Sequence, residues 1–422
     1  MERAGPQRWL DVLSLSTFVA LGLPDGMLGT AWPDMRQSFG APIGDLGLVL
    51  LVSTTGSVLV TVFVGHLIRR MGMPVVVAAG LGCGVAAATG FAVAPAFGVI
   101  LGAAIAFGVA AGFMDGGLNT AIGLSGRHRL LNLLHGAYGV GTSIGPLVVT
   151  VALLTGSWRP AYVVLLAVDL ALAGLWLIPR HSRFRPVEPS RRWSVESSPE
   201  SAGNTAAGDR SSPPPATTAR ARSLPRPGPT VGVPRRGVGA VAAGIVVFFI
   251  YTGLEVSAGQ WETTYVRAHL QLSTSAAGLA TFGYWAALTL ARIELALLPR
   301  PPAPATVVRW GCVLALFAAG MIWWDPAAPA TVIGFVILGA SLAGVFPALI
   351  ALTPSRLGEA RASDVIAWQV GAAAAGGAGV SALVGLLIGV TSVGVVGPTL
   401  VVLAILLVAA EFLLSRLAPL RR

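Results

Sequence analysis

Residues 97–124 read FGVILGAAIAFGVAAGFMDGGLNTAIGL, and this stretch decides what kind of molecule the chain is. Its 28 residues carry one charge, Asp115. As a helix rising about 1.5 Å per residue it is about 42 Å long, enough to cross a hydrocarbon core of about 30 Å. Eleven further apolar runs lie on either side of it. In the first half they fall at roughly 9–32, 45–67, 73–94, 131–155 and 160–179. In the second half they fall at 237–258, 274–296, 306–324, 329–352, 363–388 and 394–418. Glycine and proline within these runs are compatible with membrane helices, which tolerate both.

The composition agrees. The 422 residues are 55% hydrophobic and 11% charged, with a mean hydropathy of +0.77. A soluble domain carries about 25% charged residues, so a soluble enzyme, a disulfide scaffold and a disordered chain are all excluded. The two cysteines, Cys83 and Cys312, sit in separate apolar runs, and neither a disulfide framework nor a zinc site is expected. The first run is too long for a signal-peptide core, so no cleaved leader is expected.

Residues 180–236 differ from everything around them: 57 residues with ten prolines, nine serines and eleven arginines. Such a segment cannot bury enough apolar surface to fold and reads as a basic linker. It divides the chain into bundles of six helices each, 1–179 and 237–422. The basic residues also set the orientation. All 28 are arginine, and with a cytoplasmic N-terminus only Arg36, Arg159 and Arg267 fall outside. Arg292 is counted with the inner segments. This asymmetry places both termini in the cytoplasm, in a plasma (inner) membrane protein. It also accounts for the net charge of +10 without nucleic acid, because the linker alone contributes +7.

Six and six helices around a basic loop resemble the major facilitator superfamily, whose halves are parallel repeats. Shifting the first half by 234 residues lays Arg127 on Arg361, His135 on Gln369 and Gly145 on Gly379. Leu23-Pro24-Asp25-Gly26 with Trp32-Pro33 is similar to the first helix of fucose permease-like carriers. Asp115-Gly116-Gly117-Leu118-Asn119 resembles their fourth helix. Asn132-Leu133-Leu134-His135 with Gly145-Pro146 resembles the fifth, both there and in sodium-dependent glucose transporter-like proteins. Gly259-Gln260-Trp261, Gly283-Tyr284-Trp285 and Arg292 are similar to helices 7 and 8. Phe346-Pro347, Thr353-Pro354 and Trp368-Gln369 are similar to helices 10 and 11. The chain departs from the superfamily between helices 2 and 3, where Gly65-His66-Leu67-Ile68-Arg69-Arg70-Met71-Gly72-Met73 lacks the usual aspartate and final basic residue. Asp115 also stands where the fucose carriers have glutamate, and Tyr138-Gly139 where they have Asn-Pro.

Ionisable residues at membrane depth are functional hypotheses by default. Asp25 lies outward of the middle of helix 1, where Pro24 and the glycines beside it are expected to loosen the helix. Asp115 lies inward of the middle of helix 4. Desolvation favours the neutral form of a carboxylate, the property a proton-coupling acid needs. Candidate substrate partners are Asn119 one turn beyond Asp115, the stripe Asn132, His135 and Tyr138, and Glu255, Gln260, Trp261, Tyr284, Trp285 and Gln369 in the second half. Asp11, Glu294 and Glu411 sit near the inner helix ends, where snorkelling or ion pairing is expected. Asp169 lies midway along helix 6 with no partner legible in the sequence.

The expectation is an all-α polytopic protein of twelve transmembrane helices in two pseudo-symmetric bundles. It is a monomeric secondary transporter in the lipid bilayer, taking up a monosaccharide or similar small polar solute with a proton, or less readily sodium, as coupling ion. No enzymatic activity, cofactor or metal is expected, and a chain without lysine has no phosphate loop for a primary pump. Two alternatives remain open: a proton-driven efflux carrier, and a non-transporting receptor or scaffold.

Overall fold

The computed structural model describes residues 4–124, 127–178 and 235–419; most of the basic segment lies outside these. The regular elements of the described residues are helical. The first half contains α1 (Ala4–Phe39), α2 (Asp45–Met71), α3 (Met73–Val93), α4 (Phe97–Leu124), α5 (His128–Leu154) and α6 (Arg159–Leu177). The second contains α7 (Arg235–Ala268), α8 (Thr274–Leu297), α9 (Pro304–Trp324), α10 (Ala328–Leu342), α11 (Val345–Leu357), α12 (Glu359–Val390) and α13 (Val396–Leu417). The run expected at 329–352 is two helices, α10 and α11, joined at Ala343-Gly344 into a single span. Ten spans among the described residues are long and apolar enough to cross a membrane, and bent α2 makes an eleventh. α8 falls short of that apolarity because it carries Thr281, Tyr284, Thr289, Arg292 and Glu294 along its length.

α1 runs unbroken through Pro24, so the expected loosening of the helix at Asp25 does not occur. The neighbouring glycines serve packing instead. A Cβ on Gly22 or Gly26 would overlap the Tyr138 or Thr142 carbonyl of α5. Reciprocally, one on Gly141 or Gly145 would overlap the Val19 or Leu23 carbonyl of α1. Two Gly-x-x-x-Gly pairs therefore face each other and bring the backbones into contact, as membrane helices without a hydrophobic driving force require. Gly376 of α12 sits in the same way on the Phe249 carbonyl of α7.

Within the first half α1 packs on α5, α2 and α3 on α4, and α3 on α6; within the second, α7 packs on α12 and α13, and α10 on α8 and α9. The halves meet through α1 with α7, α2 with α12, and α5 with α8. Several of these contacts close the face opposite the chain ends. There Arg267 is ion-paired with Asp34. The Thr263 hydroxyl donates to Thr30 at 3.4 Å. Gly44, just before α2, and Gly47 of α2 press on Gly385 and Ala382 of α12, and Gly278 of α8 presses on Thr150 of α5. Toward the face that carries the chain ends, Asp115 and His135 are exposed. The interior is therefore sealed on one side and open toward the other. Ion pairs tie helices together on the terminal side within each half: Arg127 with Asp11 at 2.7 Å, and Arg356 with Glu411 at 2.8 Å.

Candidate functional site

Between the halves lies a cavity of about 340 Å³. Its wall includes Asp25 from α1, Ser53 and Ser57 from α2, Tyr138 and Thr142 from α5, Thr252, Glu255 and Gln260 from α7, and Trp285 and Arg292 from α8. The small residues Ala373, Ala374, Gly377 and Ala378 of α12 leave the space open.

On the α1–α5 side, the Tyr138 hydroxyl donates to the Asp25 carboxylate. The close approach of α1 to α5 makes this possible, since Gly22 rests on the backbone of Tyr138 itself. Gln260 Nε2 crosses from α7 to donate to the backbone carbonyl of Asp25 at 2.7 Å. Asp25 is thus joined to its own half through its side chain and to the other half through its main chain.

On the α7–α8 side the chemistry differs. Tyr251, one turn before Glu255, donates its hydroxyl both to that carboxylate and to the Leu342 carbonyl, the latter at 2.9 Å. Arg292 lies 3.8 Å from Glu255 and donates Nε to the Ala343 carbonyl at 3.0 Å, next to the α10–α11 break. That break exposes carbonyls which the two side chains satisfy. Arg292, counted with the inner segments by its charge, lies within α8 as expected and contributes to the cavity wall. Its spacing from Trp285 and Leu288 along one helix face is the sequence signal that finds it. Tyr251 has the same kind of signal, a position one turn from Glu255.

Of the remaining candidates, Asn119 donates Nδ2 to Asp115 Oδ1 at 2.7 Å, while its own Oδ1 is buried without a partner among the described residues. Asp115 lies within electrostatic reach of the Tyr138 hydroxyl, as do Asp25 and Glu255, but it lies outside the cavity wall. His135 sets its ring edge-on to Phe18, with centroids 6.1 Å apart. The side chain of Asn132 lies outside the described residues. Three candidates expected to touch substrate are committed to packing. Trp261 is fully buried and donates to the Ser381 carbonyl at 3.0 Å. Tyr284 is fully buried and donates to the Glu255 carbonyl at 2.7 Å. Gln369 accepts from Thr353 at 3.0 Å between α11 and α12. None of the three lines the cavity. Three cavity residues, Thr252, Gln260 and Trp285, each carry a buried polar atom without a partner among the described residues.

Two helical bundles around a polar cavity that is sealed on one face define a polytopic carrier. The sequence profile of the Major Facilitator Superfamily matches residues 13–382, and the chain belongs to that family. Three solved structures share the fold. A point mutant of the nucleoside transporter NupG superposes with a TM-score of 0.69 at 13% identity, over 96% of this chain and 99% of that one. The xylose transporter XylE from E. coli, in an inward-open conformation, gives 0.67 at 11% identity over 94% of each chain. FucP in an outward conformation gives 0.57 at 13% identity, over 96% of this chain and 98% of that one. No curated protein sequence matches the chain.

Proposed function

We propose that this transporter works by alternating access and takes up a monosaccharide or similar small polar solute together with protons. The two bundles rock about the central cavity, residues 180–236 tether them, and the monomer sits in the plasma membrane with both termini cytoplasmic. The observation that carries the reading is the pair of bonds at Asp25: Tyr138 to its carboxylate and Gln260 to its carbonyl. Opening the sealed face parts α1 from α7 and breaks the Gln260 bond. The acid that titrates is therefore in the residue that holds the gate. Asp115, with Asn119 against it, is the second coupling acid on the open side.

The cavity chemistry supports the substrate class. A volume of about 340 Å³ lies in the range of small-ligand sites. The buried amide oxygen of Gln260, the indole NH of Trp285 and the Thr252 hydroxyl need partners, and ligand hydroxyls supply both donors and acceptors. The ring of Trp285 offers a face for the C–H side of a sugar. A drug-efflux carrier calls for a wider and more apolar chamber than one carrying Asp25, Glu255 and Arg292. NupG is a nucleoside transporter and XylE a xylose transporter, and both of those solutes are hydroxyl-rich, which fits the same reading.

The test is purified protein in liposomes, offered a panel of sugars under an imposed pH or sodium gradient. Accumulation of one sugar driven by the pH gradient is the expected result. Movement of a hydrophobic cation with no sugar flux overturns the reading in favour of efflux. Deleting 190–230 tests the scaffold alternative: sugar flux should survive, and a function lost only with that segment contradicts transport.

A further inference from the structure

Asp169 is an acid without an obvious purpose. It sits on α6, at the periphery of the first half, and is only 3% exposed. Its carboxylate rests against Gly84 of α3, where a Cβ would lie 2.6 Å from Oδ2, so a glycine makes room for it. It also lines a separate chamber of about 70 Å³. With about 30 Å³ of liquid volume per water, the chamber has room for about two. Tyr162, on the same helix, lines it too; its hydroxyl is buried and has no hydrogen-bond partner among the described residues. Buried hydroxyls find partners, and in this chamber the available partner is water.

The chamber has a second acidic end. Asp25, Leu50, Ser53 and Ala111 line both it and the central cavity, forming the neck between the two. Asp25 is the ionisable group that α1 contributes, and Tyr162 the one that α6 adds beside Asp169; α2, α3 and α4 contribute none to the chamber wall. Two carboxylates therefore line one small space large enough for water, with no cation in its wall.

We propose that this side chamber is a proton compartment and that Asp169 is a second protonation site exchanging with Asp25 through its water. The proton leaving Asp25 passes along the water chain and binds an Asp169 oxygen. One carboxyl becomes a carboxylate as the other is neutralised, and the net charge of the half is unchanged. Asp25 can then reset while solute fills the central cavity. The proposal rests on Asp25 being a coupling acid.

The experiment is infrared difference spectroscopy of the full chain in liposomes after a pH jump, following the carboxyl C=O stretch. Wild type should show a band that Asp169→Asn removes. Ala111→Leu, which fills the neck, should slow formation of that band about tenfold, equivalent to a barrier raised by about 1.4 kcal/mol. Asp25→Asn should slow it similarly. If Asp169→Asn gives the wild-type spectrum throughout, or the band forms at the wild-type rate in Ala111→Leu, the compartment does not exist. Should Asp169→Asn fail to fold, Asp169→Glu and Gly84→Ala must shift the band, and an unshifted band in both overturns the assignment equally. Failure of the coupling reading is separate: Asp25→Asn would still accumulate solute, whatever the Asp169 band does.

Discussion

Asp25 and Glu255 face the same cavity from opposite halves, and their surroundings are not alike. Glu255 has Arg292 at 3.8 Å and a tyrosine hydroxyl, both from its own half, so its compensation persists in any rigid-body movement of the bundles. Two unit charges about 4 Å apart attract by about 4 kcal/mol at an effective dielectric constant of about 20. Asp25 has a tyrosine hydroxyl alone, and among the described residues no cation is ion-paired with it. On the proposed reading, a proton is what neutralises it. Glu262 is also unpaired, but it is wholly enclosed and does not line the cavity. The difference separates a fixed charge pair, suited to orienting a solute, from an acid free to change charge during the cycle.

Removing the fixed cation should have the largest effect. Arg292→Met leaves the partly buried Glu255 without its counter-charge and strips a donor from the Ala343 carbonyl. Breaking a buried pair on one side costs several kcal/mol; with both groups partly exposed, about 1–2 kcal/mol is expected. Uptake in liposomes should fall to background, and unfolding in detergent should occur at lower temperature. Arg292→Met combined with Glu255→Gln should recover stability without recovering uptake. Recovery of uptake as well would show that the pair is merely structural.

Asp25→Asn comes next and should act on coupling rather than binding. Exchange of labelled solute across a membrane with no gradient should continue, while accumulation under a pH gradient should collapse to equilibration. Glu255→Gln should impair both assays. If the two variants behave alike, the contrast between the acids is false. Asp115→Asn is expected to follow Asp25→Asn, keeping exchange and losing accumulation. Intact accumulation would remove Asp115 from coupling and leave its bond to Asn119 as helix packing.

Much of this architecture is legible in the sequence because bilayer thickness and arginine placement are one-dimensional signals. The apolar run at 97–124 coincides with α4, and the run at 73–94 nearly coincides with α3. Asp11 and Glu411 form the kind of ion pairs expected near helix ends. Residue-level roles are less legible because depth along a helix does not fix azimuth. Trp261, Tyr284 and Gln369 have suitable chemistry at suitable depth, yet each points between helices and uses its polar atom on a local partner. Arg292 is legible as a helix 8 residue near the inner end of its span, but its partners are not: the Ala343 carbonyl at the α10–α11 break and the Glu255 carboxylate are distant in sequence. The break does have a sequence signal: Gly344 lies at the joint, and Pro347 lacks the N–H that the Ala343 carbonyl would accept from four residues on. Asp25 and Tyr138 lie 113 positions apart, and facing glycine pairs on two helices bring them together.

The finest distinction lies between the two tyrosines that serve the two acids. Tyr138 gives its hydroxyl to Asp25, whereas Tyr251 divides its hydroxyl between Glu255 and the Leu342 carbonyl. Removing one hydrogen bond of this kind is worth about 1 kcal/mol, a change of roughly fivefold in an equilibrium. Tyr138→Phe should therefore change the pH at which uptake is half-maximal while altering melting little, since it removes a partner from the acid that titrates. Tyr251→Phe should do the reverse. It strands the Leu342 carbonyl, lowering thermal stability, but Glu255 keeps Arg292 and the pH profile should stay in place. An equal displacement of the pH profile in both variants would mean that the two hydroxyls serve their acids alike, and the contrast between the two sites would fall.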